Sequence, residues 1–371
     1  MSSNIKNIVL AATCSVLSLP ATAYNLLKET DVSGQLSLGG NYVDNKQVEA
    51  RVFGITGYIN LKTTLPASLE LDVSTGVTME SGSNNSFIVD EYAPRRQVRL
   101  KRAFIKWSPL SFFQFKAGAI NQRDYFAPLL LTRTAFLGAQ EELFYKFSEN
   151  HKIFFRMQQA IPNNLNLTQR IGIVEDGTPS FLMETVGLDF DGDLFAFYAN
   201  AGRWSYDSLS TGAAFQSQFL GNSVSGGSQL NSDFLYRYSG YTGSSAIRTH
   251  FSDDFGIKFW GQYLYNDKAP ETRNKGYAVK SSLILGNWQP SFLMFRNESD
   301  SSPAFYNSSF FSHNNHEGYS VELKYADPYD KNDDKVTAFI NYVDSSPIKF
   351  NAFQSDTKKV NFSIKFPFEF N

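Results

Sequence analysis

Short segments in which apolar and polar residues alternate recur along almost the whole chain. The last of them, Val360 to Asn371, reads V-N-F-S-I-K-F-P-F-E-F-N and places Phe or Ile at every second position from Phe362. Side chains of a β-strand point alternately to its two faces, so each segment predicts a strand with one apolar face. Sixteen such segments can be counted, at about 32–43, 51–64, 68–78, 97–108, 111–120, 139–148, 151–161, 182–191, 193–203, 243–252, 255–266, 275–286, 288–297, 317–326, 334–343 and 358–370.

The apolar faces could pack in the core of a soluble all-β protein or lie against lipid, and the composition favours lipid. Aromatic residues make up 15% of the chain, yet the mean hydropathy is −0.29. No run of about 18 apolar residues follows position 23, which excludes a helical membrane protein. In a transmembrane β-barrel only every second residue meets lipid, so such a chain stays polar on average. The sequence therefore predicts a closed antiparallel transmembrane β-barrel.

The connections between the predicted strands alternate between tight turns and longer polar segments. This asymmetry is typical of outer-membrane barrels, whose short turns face the periplasm and whose longer loops face outward. The even number of strands places both ends of the barrel on the periplasmic side. The stretch 203–242 could contain one more hairpin around Asp233–Ser239, which would give eighteen strands. No composition break divides the chain, so we interpret 24–371 as one barrel domain.

The first 23 residues have the features of a secretory signal peptide. Lys6 precedes an apolar run from Ile8 to Leu19, and Ala21-Thr22-Ala23 fits a cleavage site. We predict a signal peptide at 1–23 that is cleaved after Ala23. Cys14 lies within it and is the only cysteine, so the exported chain would have neither a disulfide nor thiol chemistry.

The sequence gives little support to an enzyme, a metalloprotein or a nucleic-acid-binding protein. It contains no G-x-S-x-G elbow, no H-E-x-x-H and no Gly-rich phosphate loop. His313 and His316 could hold a metal, but two loop histidines without clustered carboxylates are more often polar surface. The 34 Lys and Arg residues nearly balance the 36 Asp and Glu residues, which argues against a nucleic-acid partner. We expect no catalysis, no metal and no cofactor.

The polar faces of the strands give a first estimate of the charge inside the barrel. If the apolar faces meet lipid, eleven basic and six acidic side chains point inward. An excess of Lys and Arg in a pore favours anions, so we expect a mild anion preference. The residues are Lys62, Glu70, Asp72, Arg102, Lys106, Lys116, Glu142, Lys146, Arg156, Asp189, Arg248, Lys258, Lys280, Glu322, Lys324, Lys365 and Glu369.

The segment Leu100–Leu130 resembles one hairpin of the bacterial porins. It contains a strand with R-A-F-I-x-W, a short turn and a strand ending in A-G-x-x-N-Q. The resemblance implies that the next loop, near 121–140, folds into the barrel and faces a basic cluster on the wall. A basic run before it supplies candidates for that cluster: Arg95, Arg96, Arg99, Lys101 and Arg102. The alternative is an external loop whose charges are solvated.

The resemblance implies a porin of the bacterial outer membrane, surrounded by lipid, through which ions and small hydrophilic solutes diffuse passively. It also implies a homotrimer, and recognition of a C-terminal aromatic residue by the barrel-assembly machinery, although here Asn371 follows Phe370. A substrate-specific channel and a surface adhesin or structural barrel are alternative functions. The candidate pore-lining and constriction residues are Arg102, Lys106, Lys116, Arg123, Asp124, Arg133, Glu142 and Arg156.

Overall fold

The computed structural model describes residues 30–85, 92–132, 134–162, 177–192, 194–327 and 335–370. In these ranges sixteen strands form one closed barrel, in which every strand pairs antiparallel with its neighbours along the chain and the first pairs with the last. The strands are β1 (Thr30–Asn45), β2 (Glu49–Leu65), β3 (Leu69–Asn84), β4 (Arg96–Leu110), β5 (Phe113–Asn121), β6 (Ala135–Ser148), β7 (His151–Ile161), β8 (Ser180–Asp191), β9 (Phe195–Asp207), β10 (Tyr238–Ser252), β11 (Phe255–Asn266), β12 (Lys275–Leu285), β13 (Trp288–Asn297), β14 (His316–Tyr325), β15 (Thr337–Pro347) and β16 (Thr357–Phe370).

The prediction of a closed sixteen-stranded barrel is confirmed, and the alternative of eighteen strands is wrong. The long connection after β9 contains a helix, α1 (Thr211–Phe219), and two-residue strands, Val224–Ser225 and Asp233–Phe234, that pair only with each other. The wall therefore gains no further hairpin there. No helix in the described ranges is long and apolar enough to cross a membrane.

The predicted signal peptide at 1–23, with its cleavage site after Ala23, lies outside the described residues, and so does Asn371. Within the described part, β6 begins at Ala135 instead of the predicted 139. The alternation disappears at this end because both faces are apolar. Phe136 is fully buried inside the barrel, whereas Leu137 is exposed outside it.

The outer surface of the barrel is a belt of exposed apolar side chains. Members of the belt such as Ile55, Val77 and Val279 each keep about half of their surface exposed. Aromatic residues with similar exposure, including Trp107 and Trp288, lie beside the short turns. Such a belt with aromatic residues at its edge is what an outer-membrane barrel presents to lipid.

The seam between β1 and β16 is paired over its whole length, from Val32 opposite Phe370 to Asn45 opposite Thr357. Gly34 lies directly under one ring of the last strand, because a β-carbon at this position would be 2.3 Å from Cε2 of Phe368. A larger residue at 34 would therefore displace the aromatic side chain that covers the seam.

A packed apolar cluster fills part of the barrel interior. It brings together residues of the loop after β5, inward residues of the wall between β6 and β13, and residues of the loop after β13. All of them are almost completely buried, so this part of the interior resembles the core of a soluble protein. Its members include Tyr125, Leu129, Leu130, Phe136, Phe181, Trp204, Tyr206, Leu264 and Tyr306.

Buried amides hold the long loops to one another above this cluster. Asn222 Nδ2 donates to the backbone oxygens of Ser299 and Ser302, at 2.6 and 2.9 Å. Asp300 is fully buried and accepts hydrogen bonds from N and Oγ of Ser223, at 2.8 and 2.7 Å. Such satisfied buried polar groups give a loop one defined conformation.

The two loop histidines belong to the same buried region. His313 and His316 are 7% and 4% exposed, so their interpretation as polar surface is wrong. His313 Nδ1 lies 3.0 Å from the Ala304 oxygen and 2.8 Å from Asn307 Oδ1. Among the described residues no group of three or more His, Cys, Asp or Glu side chains is arranged to hold a metal.

Candidate pore constriction

The loop after β5 begins with a tight change of direction. Asn121 caps a short 3-10 helix, Gln122–Tyr125, because its side chain accepts a hydrogen bond from N of Arg123 at 2.8 Å. Phe126 follows with a φ of 52°, in the left-handed region. This local geometry turns the chain away from the direction of the strand.

Residues 122–132, which we call the inner loop, are bound to the far side of the barrel. Asn200 Nδ2 donates to the Tyr125 oxygen at 3.0 Å, and Ser244 Oγ donates to the Phe126 oxygen at 2.9 Å. The next contact is from N of Leu129 to Gln262 Oε1, at 3.0 Å. The three wall residues lie on β9, β10 and β11, four to six strands from β5, so the inner loop runs across the interior.

A buried ion pair lies beneath the inner loop. Arg156 on β7 donates from Nε to Glu142 on β6 at 2.7 Å, and its Nη2 lies 2.6 Å from the same carboxylate. Nη1 of Arg156 also donates to the backbone oxygen of Asp124, at 3.0 Å. Lys152 gives Glu142 a second cation, at 2.9 Å. The pair therefore connects two wall strands to the inner loop.

A cavity of about 1030 Å³ remains between the inner loop and the wall formed by β1 to β5. Among the described residues, the charged side chains around it comprise seven basic and three acidic residues, an excess of four positive charges. The lining includes the neutral polar residues Gln35, Ser37 and Thr56 on one side. The charged residues are Arg99, Lys101, Arg102, Lys106, Lys116, Arg123 and Lys365, with Glu70, Asp72 and Asp124.

Each acidic residue of the cavity is paired with a lining cation. Asp72 lies 2.7 Å from Arg102, and Glu70 lies 2.9 Å from Lys106. Asp124 on the inner loop lies 3.1 Å from Lys116 on β5. Desolvation alone would raise the pKa of Asp124, but the positive charges of Lys116 and Arg156 outweigh it and lower the pKa below its usual value. This carboxylate therefore stays ionised at neutral pH.

Five of the eight residues that the sequence suggested for the pore surround this cavity: Arg102, Lys106, Lys116, Arg123 and Asp124. Glu142 and Arg156 do not line it, because the inner loop covers them and leaves them 5% and 6% exposed. Arg133 lies outside the described residues.

Two lining cations, Arg99 and Lys101, are absent from the set of inward charges that strict alternation gives, although the porin resemblance named both as candidates for the basic cluster on the wall. Strict alternation from Arg102 assigns both to the outer face. The pairing of β3 with β4 is irregular at this point, and the irregularity changes which side chains point inward. The run R-L-K-R at 99–102 is a second signal that these residues do not all face lipid, since charged side chains are costly on the lipid face of a barrel.

Comparisons with known proteins identify the fold. No protein-family model matches the chain, and no curated protein matches its sequence. Similar solved structures include a high-pH structure of OprB from Pseudomonas putida, with a TM-score of 0.56, 13% identity, and coverage of 94% of this chain and 96% of that one. OccAB1 from Acinetobacter baumannii gives a TM-score of 0.52, 8% identity, and coverage of 92% and 97%.

A third structure is a loop L8 deletion mutant of OmpT, an outer membrane protein of Vibrio cholerae. It gives a TM-score of 0.50 at 11% identity and covers 91% of this chain and 99% of that one. Each of these similarities extends over nearly the full length of both chains. The belt of exposed apolar side chains on the outside of the barrel is consistent with such a fold. The chain therefore has the fold of the bacterial outer-membrane porins, a closed barrel of sixteen antiparallel strands.

Proposed function

We propose that this chain forms a passive, water-filled channel for ions and small hydrophilic solutes across the bacterial outer membrane, with a mild preference for anions. The observation that carries the proposal is the cavity beside the inner loop, with its excess of four positive charges. The packed cluster occupies the opposite part of the interior, so the passage would run along β1 to β5.

The charge excess supports a modest selectivity. One unit charge acts on an ion about 7 Å away with about 0.6 kcal/mol in water, so four charges give about 2.4 kcal/mol. Screening at about 0.1 M salt roughly halves this figure, because the Debye length is then about 10 Å. The remaining ~1.2 kcal/mol stabilises chloride and destabilises potassium by the same amount, so the permeability ratio in favour of chloride is at most roughly sixtyfold, and lower where ions pass farther from the charges.

Planar-bilayer recording of the purified protein tests the proposal. We expect stepwise currents, and a reversal potential in a KCl gradient whose sign corresponds to anion preference. Absence of stepwise current would contradict the proposed channel function and favour a surface adhesin or structural barrel. A cation-selective reversal potential would contradict the assignment of the charged cavity to the ion pathway.

A substrate-selective channel is the second candidate, and the packed interior favours it. The inner loop and the apolar cluster leave an off-centre cavity beside β1 to β5 instead of an open centre. Rates of vesicle swelling with neutral sugars of increasing size separate the two candidates. A gradual decrease with size supports general diffusion, whereas uptake restricted to one solute class supports selectivity.

The homotrimer and the recognition by the barrel-assembly machinery rest on the porin resemblance and form part of the proposal. Light scattering of the protein in detergent should give a protein mass for each particle equal to three times the mass of one chain. A single chain mass would contradict the trimer. Assembly in cells should slow when Phe370 is replaced by alanine, and an unchanged rate would contradict recognition of this residue.

A further inference from the structure

Four neighbouring strands carry a row of outward side chains, three of which are ionisable. Glu141 on β6 is paired with Met157 on β7, Met157 with Glu184 on β8, and Glu184 with Arg203 on β9. The residues that follow Glu141 and Arg203 in the chain are buried inside the barrel, so alternation directs the row outward. We call these four residues the outer row.

The outer row interrupts the apolar belt at a level where other strands present bulky apolar residues. Glu141 is exposed and lies about as far from the periplasmic end of its strand as Val279 and Met294 lie from theirs. Those two residues are 56% and 57% exposed. A charged side chain on the lipid face of a barrel is costly, and it costs most near the middle of the bilayer. Lipid is therefore an unfavourable neighbour for this part of the wall.

The charges of the outer row have no partner within the barrel. In the part of the chain that the structure describes, Glu141, Glu184 and Arg203 form neither a hydrogen bond nor an ion pair. Arg296, equally far along β13 and also on the outer face, does form an ion pair with Glu317 on the next strand. The chain thus neutralises an outward charge elsewhere on its surface but not in the outer row.

The signs and positions of these charges fit a second copy of the same chain. Copies of a barrel share one orientation in the membrane, so a rotation axis that relates them runs along the membrane normal. With such an axis beside the outer row, β6 of one copy faces β9 of the next, and Glu141 faces Arg203. Both residues lie at similar distances from the periplasmic ends of their strands, within reach of two long side chains. Opposite charges therefore meet at this contact.

Small residues beside Arg203 leave room for close approach. Ala201, the preceding outward residue of β9, is paired with Gly243 on β10. A β-carbon at Gly243 would come no closer than 3.5 Å to any residue beyond its neighbours in the chain. Packing within the barrel therefore does not require a glycine at this position. The surface next to the charged row is shallow, which suits contact with another wall.

We propose that the outer row is the contact surface between two copies of this chain, where Arg203 of one copy lies between its own Glu184 and Glu141 of the second copy. One guanidinium has five N–H donors and can serve two carboxylates. The inference rests on the self-association proposed above and adds to it the face of the barrel on which it occurs. It does not depend on the passage of ions.

Thiol cross-linking between copies tests this surface while keeping its charges. Cys14 is the only cysteine and falls in the predicted signal peptide, so the exported chain offers no thiol of its own. Ala139→Cys/Ala201→Cys places thiols two residues from Glu141 and Arg203, on the same outward faces of β6 and β9. A short bis-maleimide added to membranes that contain this variant should give a cross-linked product of two or more chains on a denaturing gel.

The matched control is Val279→Cys/Ile340→Cys. These residues are exposed on the outer faces of β12 and β15, which are also three strands apart. The control should remain a single chain on the gel. Equal cross-linking of the two cysteine pairs would show that the copies meet by random collision, which would overturn the proposal.

A charge variant then tests the pairing itself. In the Ala139→Cys/Ala201→Cys protein, Glu141→Gln should raise the protein concentration needed for half-maximal cross-linking by about tenfold, the loss expected for one charge-assisted contact. If the outer row faced only lipid, the same change would leave cross-linking unaffected, because it merely removes a costly charge. An unchanged concentration would therefore refute the role of Glu141 in the contact.

Light scattering distinguishes failure of this surface from failure of self-association. Particles of several chains in which Ala139→Cys/Ala201→Cys gives no cross-link would place the contact on another face and refute the outer row alone. Particles of one chain, again without a cross-link, would refute both. A product whose mass is not a multiple of the chain mass would assign the outer row to a different protein and overturn the proposal.

Discussion

The ion pair beneath the inner loop allows a quantitative test of how firmly the loop is held. Arg156→Met keeps an unbranched apolar stem but removes the groups that contact Glu142 and the Asp124 oxygen. Loss of one partner of a buried pair costs about 3–5 kcal/mol. Lys152 still reaches Glu142 at 2.9 Å and offsets part of this loss. We therefore expect a decrease of about 2–4 kcal/mol in the free energy of unfolding.

Equilibrium unfolding in guanidinium, with the protein folded in lipid vesicles and followed by tryptophan fluorescence, measures this change. The double variant Arg156→Met/Glu142→Gln also removes the negative charge that Glu142 would otherwise keep without Arg156. It should recover more than half of the lost free energy of unfolding. A single variant within about 1 kcal/mol of the wild type would refute the reasoning, since pairs in contact with water give such values. In bilayers Arg156→Met should also increase the noise of the open-channel current.

Three further predictions concern the wall and the cavity. Gly34→Val should lower the free energy of unfolding by about 1–3 kcal/mol, because the added side chain meets an aromatic ring of the last strand, and a heat-shift gel should show a smaller folded fraction. Gly57→Val, where an added β-carbon has no atom within 4 Å, should fold like the wild type. Equal folded fractions of the two variants would contradict the seam geometry. Ile55→Arg on the outer face should lower the free energy of unfolding by up to about 4 kcal/mol, whereas Thr56→Arg should mainly increase the anion preference of the current. A larger loss of stability in Thr56→Arg than in Ile55→Arg would contradict the assignment of the two faces. Because the pKa of Asp124 lies below its usual 3.8, its contact with the nearby lysine is complete at neutral pH and is lost only as the pH falls through that lowered pKa, so the reversal potentials of wild type and Asp124→Asn should differ down to pH 3.8 and converge below it.

The sequence predicts the barrel well, because the lipid face and the wet face impose a strict two-residue period. The period fails where the inside of the barrel is dry. Phe136 points inward into the packed cluster and Leu137 points outward, so the start of β6 shows no alternation. A packed interior depends on tertiary structure, since it requires residues from distant loops to come into contact. No local sequence pattern predicts it.

The site illustrates the same limit. Arg102 and Lys106 could be assigned to the interior by counting along β4, and both line the cavity. Arg99 could not, because a single extra residue at Lys101 reverses the count for everything before it. Glu142 and Arg156 were assigned to the correct face, but their burial depends on a loop whose path is fixed by residues on β9 to β11.

The pairing of β1 with β16 has a consequence for the order of folding. Val32 is paired with Phe370, so the contact that closes the wall joins residues from opposite ends of the chain. Contacts of such long sequence separation form late and slowly. Until β16 arrives, β1 and β15 both have open edges that could pair with other chains. We therefore expect a chain that stops before residue 357 to aggregate, and a chain that includes β16 to depend on protection of both edges until that strand pairs.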